Sequence, residues 1–421
     1  MNKKKEIVPK LRFPEFSKTY WGITRLNVLA DKITERNKDD SIKRVFTNSA
    51  TEGVIDQEEY FDRNIANKNN LTNYFVVEKG DYVYNPRIST TAPVGPISKN
   101  KLGIGVMSPL YTVFRFRNKE NDFYEHFFLT NLWHVYIKNL SNTGARHDRI
   151  TISVDNFMKM PLPYASPEEQ QKIADCLSSI DELIDAESRK LKALEKYKKG
   201  LMQKLFPAEG KTMPEWRFPE FQDCEEWETV KLEKLALYRR GSFPQPYGLP
   251  EWYDEKNGMP FIQVFDVDDN MKLKSNTKNK ISELAAQQSV FIPKGTLIIT
   301  IQGSIGRVAI TQYDAYIDRT LLLFEKFFRK IDKTFLAYNL QLLFDIEKQK
   351  APGGIIKTIT KQALSEFLTS IPRIEEQEKI AGCLSEVDTM ITEQSNKVEQ
   401  LKAHKKGLMQ GLFPSLEEAD V

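Results

Sequence analysis

The sequence predicts an α+β protein made by internal duplication: two similar globular bodies separated by two long antiparallel helices, with an internal pseudo-two-fold. Three observations predict it. Residues 168–207, EEQQKIADCLSSIDELIDAESRKLKALEKYKKGLMQKLFP, return without a gap as 375–414, EEQEKIAGCLSEVDTMITEQSNKVEQLKAHKKGLMQGLFP, at an offset of 207 (375 − 168 = 207). PKLRFPEF at 9–16 returns as PEWRFPEF at 214–221, and Trp21 and Leu26 have counterparts in Trp227 and Leu232. Between these, stretches of 149 and 151 residues (17–165 and 222–372) differ in sequence but keep similar punctuation. So long a period marks a duplicated module and not a solenoid, whose repeats run to about 20–50 residues.

Composition sets outer limits. A chain of 421 residues has room for two to four domains, each able to bury a core. The 40% apolar and 28% charged fractions are those of an ordinary globular protein. A net charge of +3 is too small to name a partner, since clustering matters more than the sum. Cys176, Cys224 and Cys383 leave one cysteine over in any disulfide scheme and fit no zinc spacing, so a reducing cytoplasm is the expected setting. The opening MNKKKEIVPKL is basic without a following apolar region, so no secretory signal is expected. The longest apolar run, near Leu297–Ile301, is strand-sized and well short of the ~20 residues that span a bilayer; no membrane is expected.

The elements follow in order. RFPEF reads as an extended segment whose proline and aromatics pin it to a domain surface. In the first body KGDYVYNPR (79–87) sets Gly-Asp before a period-2 strand, followed by the loop STTAPVG. In the second, KGTLIITIQGSIGRVAI (294–310) sets Gly-Thr before a strand and then the loop QGSIG. Strand-like YTVFRF (111–116) and LLLFEKFF (321–328) come next, then helix-like 122–139 and 332–349. Glycine-containing loops NTGARHDRI (142–150) and APGGIIKTI (351–359) close the bodies, which read as α+β and rich in short strands.

The first long helix has a marked start: Ser166 as cap, Pro167 at the first helical position, and Glu169 placed to reach back as a capping box. Glu168 and Glu169 at the start and lysines at the end suit the macrodipole. Arg373 stands at the equivalent cap of the second helix, which leaves that start less specified. Pro207 and Pro414 stop both. Ile173, Leu177, Ile180, Ile184, Leu191, Leu194, Leu201 and Leu205 recur at alternating steps of four and three. Ile380, Leu384, Val387, Ile391, Val398, Leu401, Leu408 and Leu412 repeat the pattern, a 3.5-residue seam that wants a partner helix. Roughly 38 residues of helix would extend about 57 Å at 1.5 Å per residue. A duplicated module closes most simply about a two-fold, which makes the helices antiparallel. Glu187, Gln394, Lys198 and Lys405 break the seam and are either register pins or partner contacts. Cys176 and Cys383 beside it read as small buried hydrophobes.

No catalytic constellation is present in the sequence. GGIIKT (353–358) lacks the P-loop spacing, the four histidines show no metal-ligand spacing, and no serine lies in GxSxG. NPR (85–87) and GIG (103–105) are only fragments of methylase and cofactor-loop motifs. The bodies offer instead arginines, amides and small hydroxyls in matching loops. The first has Arg87, Ser89 and Thr90, then Asn142, Arg146, His147 and Arg149. The second has Arg239, Arg240, Ser242 and Gln245, then Gln302, Ser304 and Arg307, and Lys357. Arginine suits guanine and Asn or Gln suits adenine, so these are the candidate DNA-binding residues. A coiled-coil scaffold with protein-binding bodies is the alternative.

With RFPEF at 12–16 and 217–221, PLPYASPEEQQKIADCLSSID (161–181), its echo IPRIEEQEKIAGCLSEVD (371–388) and KKGLMQ-x-LFP twice, the chain resembles the specificity subunit of type I restriction-modification systems. The resemblance implies target-recognition domains over 1–165 and 208–372, spacer helices over 166–207 and 373–414, and a tail over 415–421. It implies that each domain reads half of a split, asymmetric site in double-stranded DNA. It further implies that the helices set the gap and dock two modification subunits for adenine methylation, with two restriction subunits adding ATP-dependent cleavage. On the same basis this chain is a non-catalytic recognition subunit with no cofactor of its own. S-adenosylmethionine, ATP and Mg are expected in the partner subunits.

Overall fold

In a computed structural model of the chain, residues 7–60, 71–140, 142–143, 148–350 and 359–415 are described. The chain divides into two compact units, Met1–Glu187 with Lys397–Val421, and Ser188–Asn396. Each unit therefore holds one body, the start of the long helix that follows that body, and the end of the other long helix.

In the first unit the strand Tyr82–Tyr84 shows how the body is layered. It lies in a four-stranded antiparallel sheet ordered Ala30–Lys32, Thr112–Phe116, Tyr82–Tyr84, Ile97–Lys99. Side chains alternate across a strand. Val83 accordingly enters one core with Phe46, Phe75 and Met107 of a second sheet, while Tyr82 and Tyr84 enter another with Phe114, Phe116 and the helix Asp122–Phe128. Covered on both faces, all three residues are buried. The second sheet runs Gly53–Asp56, Val45–Ser49, Gly105–Met107, Phe75–Val77, with Val45–Ser49 parallel to Gly105–Met107. A ribbon of Gly22–Arg25 and Pro161–Tyr164 joins the body's first and last strands.

The second unit repeats this plan with different residues. One sheet runs Ala236–Arg240, Leu321–Phe327, Leu297–Thr300, Val308–Ile310. The other runs Asn279–Ile281, Met259–Ile262, Ala315–Ile317, Val290–Ile292, its parallel pair again in the middle. Ile298 faces the other sheet while Leu297 and Ile299 face the helix side, as Val83 and its two tyrosines do. Glu228–Lys231 pairs with Leu368–Ile371 as the closing ribbon.

The single helix expected over 122–139 is instead two, Asp122–Phe128 and His134–Leu140. The Thr130 hydroxyl donates to the Phe127 carbonyl (2.7 Å) and the Trp133 indole to that of Phe128 (3.1 Å), taking acceptors a continuing helix would use. The counterpart Lys333–Lys350 is unbroken.

The long helices are Pro167–Leu205 and Ile374–Leu412, 39 residues each and at the same offset of 207 (374 − 167 = 207). The Ser166 hydroxyl accepts from the Glu169 amide (3.3 Å), but the Glu169 carboxylate does not complete a capping box. Arg12 of RFPEF takes it in a bidentate pair (2.7 and 2.8 Å). Arg217 takes Glu376 in the same way (2.7 and 2.6 Å), and the Trp227 indole donates to that carboxylate at 3.3 Å. Gln170 and Gln377 each donate back to the residue two before the helix, Ala165 (2.9 Å) and Pro372 (2.8 Å). These shared contacts define the second start at the equivalent position although Arg373 offers no cap. RFPEF itself holds a short 3-10 turn, Pro14–Phe16 or Pro219–Phe221. Both long helices end two residues before proline, which disfavours helical geometry in the residue preceding it.

Within each unit the two helix segments run antiparallel. In the first, Asp181 meets Lys405 (2.5 Å) and Glu187 meets Lys397 (2.5 Å), so one number rises as the other falls. Ile173 and Leu177 share a core there with Leu412 and Phe413. In the second, Lys198 meets Asp388 (2.6 Å), and Met202 and Leu205 share a core with Ile380 and Leu384. Lys198 and Asp388 stand 207 residues from Lys405 and Asp181 respectively, so the two bridges are reciprocal copies of one interaction (405 − 198 = 388 − 181 = 207). The seam lysines are thus cross-helix pins in this chain. Gln394 is buried, and Cys176 and Cys383 are half-buried and free.

Candidate nucleic-acid interface

Among the described residues, several of the candidates gather where the central strand of each body leaves its sheet. In the first unit Tyr82–Tyr84 runs on into Asn85, Pro86 and Arg87. The Ile150 amide donates to the Pro86 carbonyl (2.9 Å) and the Ile88 amide to that of Asp148 (3.0 Å), so Arg87 and Arg149 stand side by side in a β-bridge. Two loops some sixty residues apart in sequence are thereby joined. Both guanidinium groups are exposed, and neither has a carboxylate partner among the described residues. The turn carrying Ser89 and Thr90 is closed by the Ser89 hydroxyl, which accepts from the Ala92 amide (3.1 Å). Gly95 allows it: its φ is +79°, and a Cβ there would lie 1.9 Å from the Asn85 carbonyl oxygen.

Arg87, Ser89 and Arg149 line a cleft of about 360 Å³, completed by Thr47, Asn48 and Tyr111. Sequence reasoning missed these last three. Thr47 and Asn48 belong to the strand Val45–Ser49, far from Arg87 in the chain. The Thr47 hydroxyl and Tyr111 phenol hydrogen-bond at 3.0 Å. The Asn48 amide donates to the Val83 carbonyl (2.7 Å), leaving its buried Oδ1 without a partner among the described residues. The polar run TNSATEG (47–53) was the available signal. Arg146, His147 and Lys357 lie outside the described residues, and Asn142 is described only through its backbone pairing with Thr151.

In the second unit the strand Leu297–Thr300 runs on into Ile301 and Gln302, and the Ile359 amide donates to the Ile301 carbonyl (3.4 Å), matching Ile150 and Pro86. Arg240 pairs with Leu322 on one side of the strand Leu321–Phe327, and Ile299 pairs with Leu322 on the other. Residues 241–245 and 302–304 thus leave the same end of the sheet, two strand spacings or about 10 Å apart. Arg240, Gln245 and Ser304 are exposed there and Gln302 is half-buried. The Ser242 hydroxyl donates to the Gln288 carbonyl (3.1 Å). Two arginines are engaged within the body. Arg239 pairs with Glu325 (2.7 Å), and Arg307 holds Asp269 in a bidentate pair (2.8 and 3.2 Å) and donates to Val267 (2.9 Å).

The arrangement suits recognition of an anionic polymer: free guanidinium groups, amides and hydroxyls sit on a rigid sheet end. Among the described residues no cluster of His, Cys, Asp and Glu is placed to hold a metal, and no helix is long and apolar enough to cross a membrane.

A family model described as the type I restriction modification DNA specificity domain matches residues 28–196 and again 224–403. Two relatives from Methanocaldococcus jannaschii are 27% identical to this chain. The putative type I restriction enzyme MjaX specificity subunit aligns over 304 residues, 70% of this chain and 68% of the relative. The type I restriction enzyme MjaVIII specificity subunit aligns over 325 residues, 72% of each. Among solved structures, the type I restriction-modification S subunit from M. genitalium superposes with a TM-score of 0.60 at 14% identity, covering 97% of this chain and 100% of that one. A chain from a structural study of type I R-M complex assembly and conformational transition gives 0.57 at 18% identity, with 93% and 96% covered. At these identities the structural likeness concerns the fold.

Proposed function

The chain belongs to the type I restriction-modification DNA specificity family, and from that premise we propose that each body reads one half of a split, asymmetric site in double-stranded DNA. Sequence recognition is its task, and its relatives are specificity subunits. One observation carries the split: the same two-sheet frame and the same closing hydrogen bond present Arg87 and Arg149 in one unit but Gln302 in the other. A repeated frame with different reading residues suits two different half-sites. Arginine pairs bidentately with guanine and glutamine with adenine in the major groove.

The long helices set the gap between halves. Half-sites on one face of B-DNA lie about 34 Å apart per helical turn. A 39-residue helix extends about 58 Å at 1.5 Å per residue, ample for that span. The chemistry is brought by partners: two modification subunits carrying S-adenosylmethionine for adenine methylation, and two restriction subunits using ATP and Mg for cleavage.

The test is to map methylated adenines in cells expressing the chain with its modification subunit. Arg87→Ala with Arg149→Ala should relax the first half-site alone, each lost base contact weakening discrimination by about 1–3 kcal/mol, or about fivefold to about 150-fold. Gln302→Ala should relax the second alone. Loss of both half-sites together in either variant would contradict the division of labour.

A further inference from the structure

At one further point both bodies turn the chain in the same way, and there the side chains differ in kind. In the first body the turn 108–111 links the strand Gly105–Met107 of one sheet to Thr112–Phe116 of the other. The Tyr111 amide donates to the Ser108 carbonyl (3.0 Å) and the Leu110 amide to the Ser108 hydroxyl (3.4 Å). In the second body the turn 318–321 makes the same link from Ala315–Ile317 to Leu321–Phe327. The Leu321 amide donates to the Asp318 carbonyl (3.1 Å) and the Thr320 amide to the Asp318 carboxylate (2.9 Å). Ser108 therefore corresponds to Asp318, and the tip Pro109-Leu110 to Arg319-Thr320.

Leu110 lines the cleft of about 360 Å³ that Arg87 and Arg149 also line, and it stands 60% exposed. Among the described residues it is the only large apolar side chain on that lining to be left exposed. A surface leucine means little by itself. This one sits among guanidinium groups and hydroxyls, on a turn that Thr320 closes equally well at the same position. Arg319, at the other tip, is exposed too. Its guanidinium lies over the Tyr247 ring, 5.0 Å from the centroid, and has no carboxylate partner among the described residues. The Tyr247 phenol donates to the Asp318 carboxylate, so the ring beneath Arg319 is itself tied to the turn. The Gly241 and Ser242 amides donate to the Leu321 and Ile317 carbonyls (3.1 Å each). Gly241 passes so close that a Cβ there would lie 2.2 Å from the Ile317 carbonyl oxygen. The second turn thus adjoins the loop that leads to Gln245, as the first adjoins Arg87.

We infer that this turn is a specificity-determining position in both bodies. Leu110 covers the 5-methyl group of a thymine in the first half-site, and Arg319 takes the O6 and N7 acceptors of a guanine in the second. In the major groove the thymine methyl is the feature of a base edge that an aliphatic side chain recognises, whereas a guanidinium matches the paired acceptors of guanine. An exposed leucine gains by covering that methyl, about three- to fivefold in affinity for one buried carbon group. Exchanging the tip from apolar to cationic gives the two bodies different preferences and leaves their sheets unaltered. This rests on the proposed reading of one half-site by each body, and adds two residues and the base atoms they recognise.

The test uses the full chain with its modification subunit, on duplexes bearing the site found by mapping methylated adenines. Each thymine is replaced in turn by deoxyuridine, which removes only the 5-methyl group, and each guanine by 7-deazaguanine, which removes only the N7 acceptor. An adenine methylated in the first half-site brings its paired thymine, so the first comparison always has a substrate. Affinity should fall about three- to fivefold at one thymine of the first half-site, and in Leu110→Ala that difference should vanish. Affinity should fall about tenfold or more at one guanine of the second half-site, and in Arg319→Ala that difference should vanish. Because Leu110 is exposed, the melting temperature of Leu110→Ala should match the parent's. A first half-site in which no uracil weakens binding, or a uracil effect that survives Leu110→Ala, would overturn the assignment of Leu110. A 7-deazaguanine effect that is absent, or that survives Arg319→Ala, would overturn that of Arg319. Either result leaves the division into half-sites standing, since Arg87→Ala with Arg149→Ala tests that division separately.

Discussion

Replacing Arg217 with methionine should destabilise the second unit far more than a surface arginine change would. Arg217 and the Glu376 carboxylate are nearly sealed, at 6% and 1% side-chain exposure, and meet in two hydrogen bonds of 2.7 and 2.6 Å. The guanidinium also donates to the Cys224 (2.8 Å) and Glu225 (3.1 Å) carbonyls, and its pKa is raised, chiefly by the hydrogen bond to Glu376. Arg217→Met leaves a buried carboxylate facing only the Trp227 indole. Breaking a buried pair from one side costs about 3–5 kcal/mol. Arg217→Met with Glu376→Gln removes the charge and keeps an acceptor for the indole. That double variant should lose only about 1–2 kcal/mol, the worth of the carbonyl hydrogen bonds. The assay is urea unfolding. At a slope of about 2 kcal/mol per molar, the single variant moves the second unit's midpoint down by about 2 M and the double by less than about 1 M. A single variant within about 1 kcal/mol of the parent, or a double no better than the single, would refute the view that RFPEF anchors the helix start through this pair.

Three other outcomes follow from the same structure. His126 is 4% exposed and faces Lys405, Asp181, Lys101 and Asp122; burial first, then Lys405, lowers its pKa to about 4 from an ordinary 6.5. It is neutral when folded, so stability is full above pH 6.5 and falls as pH drops toward 4, because the unfolded chain takes up the proton first. The loss reaches about 3 kcal/mol and should be absent in His126→Gln, as read by urea midpoints across pH 4–7. Lys198→Met strands Asp388, whose remaining partner is the Tyr338 hydroxyl (2.6 Å), and should lower the second unit's stability by about 1–3 kcal/mol. Lys198→Asp with Asp388→Lys should restore most of it in the same assay. Gly95→Ala should destabilise the first unit by at least about 1–3 kcal/mol, since the turn must open to admit the Cβ, with hydrogen exchange rising at Ser89–Ala92.

The large features were legible because they are periodic or repeated. The seam of Ile173, Leu177 and their successors, the terminal prolines and the fixed offset locate both long helices, and Tyr82–Tyr84 and Leu297–Thr300 fall inside the expected strands. Glu169 was placed correctly in the first turn, but its partner was not visible. A capping box is a local pattern, whereas Arg12 lies 157 residues away and arrives only through tertiary packing. The break after Phe128 has the same cause: Trp133 reaches back to a carbonyl that helical periodicity assigns to the ladder. At the candidate interface, charge and glycine content singled out Arg87 and Arg149. Thr47, Asn48 and Tyr111 join them through strand pairing, which composition does not encode. Arg307 looked free in sequence and is held by Asp269, 38 residues earlier.

The central claim is that recognition lies in two separable bodies held on a common helical frame. The most direct measurement exchanges residues 222–372 for the corresponding body of another member of the family and maps methylated adenines genome-wide. One half-site should change while the other half-site and the gap persist. A change in both half-sites, or in neither, would contradict the account.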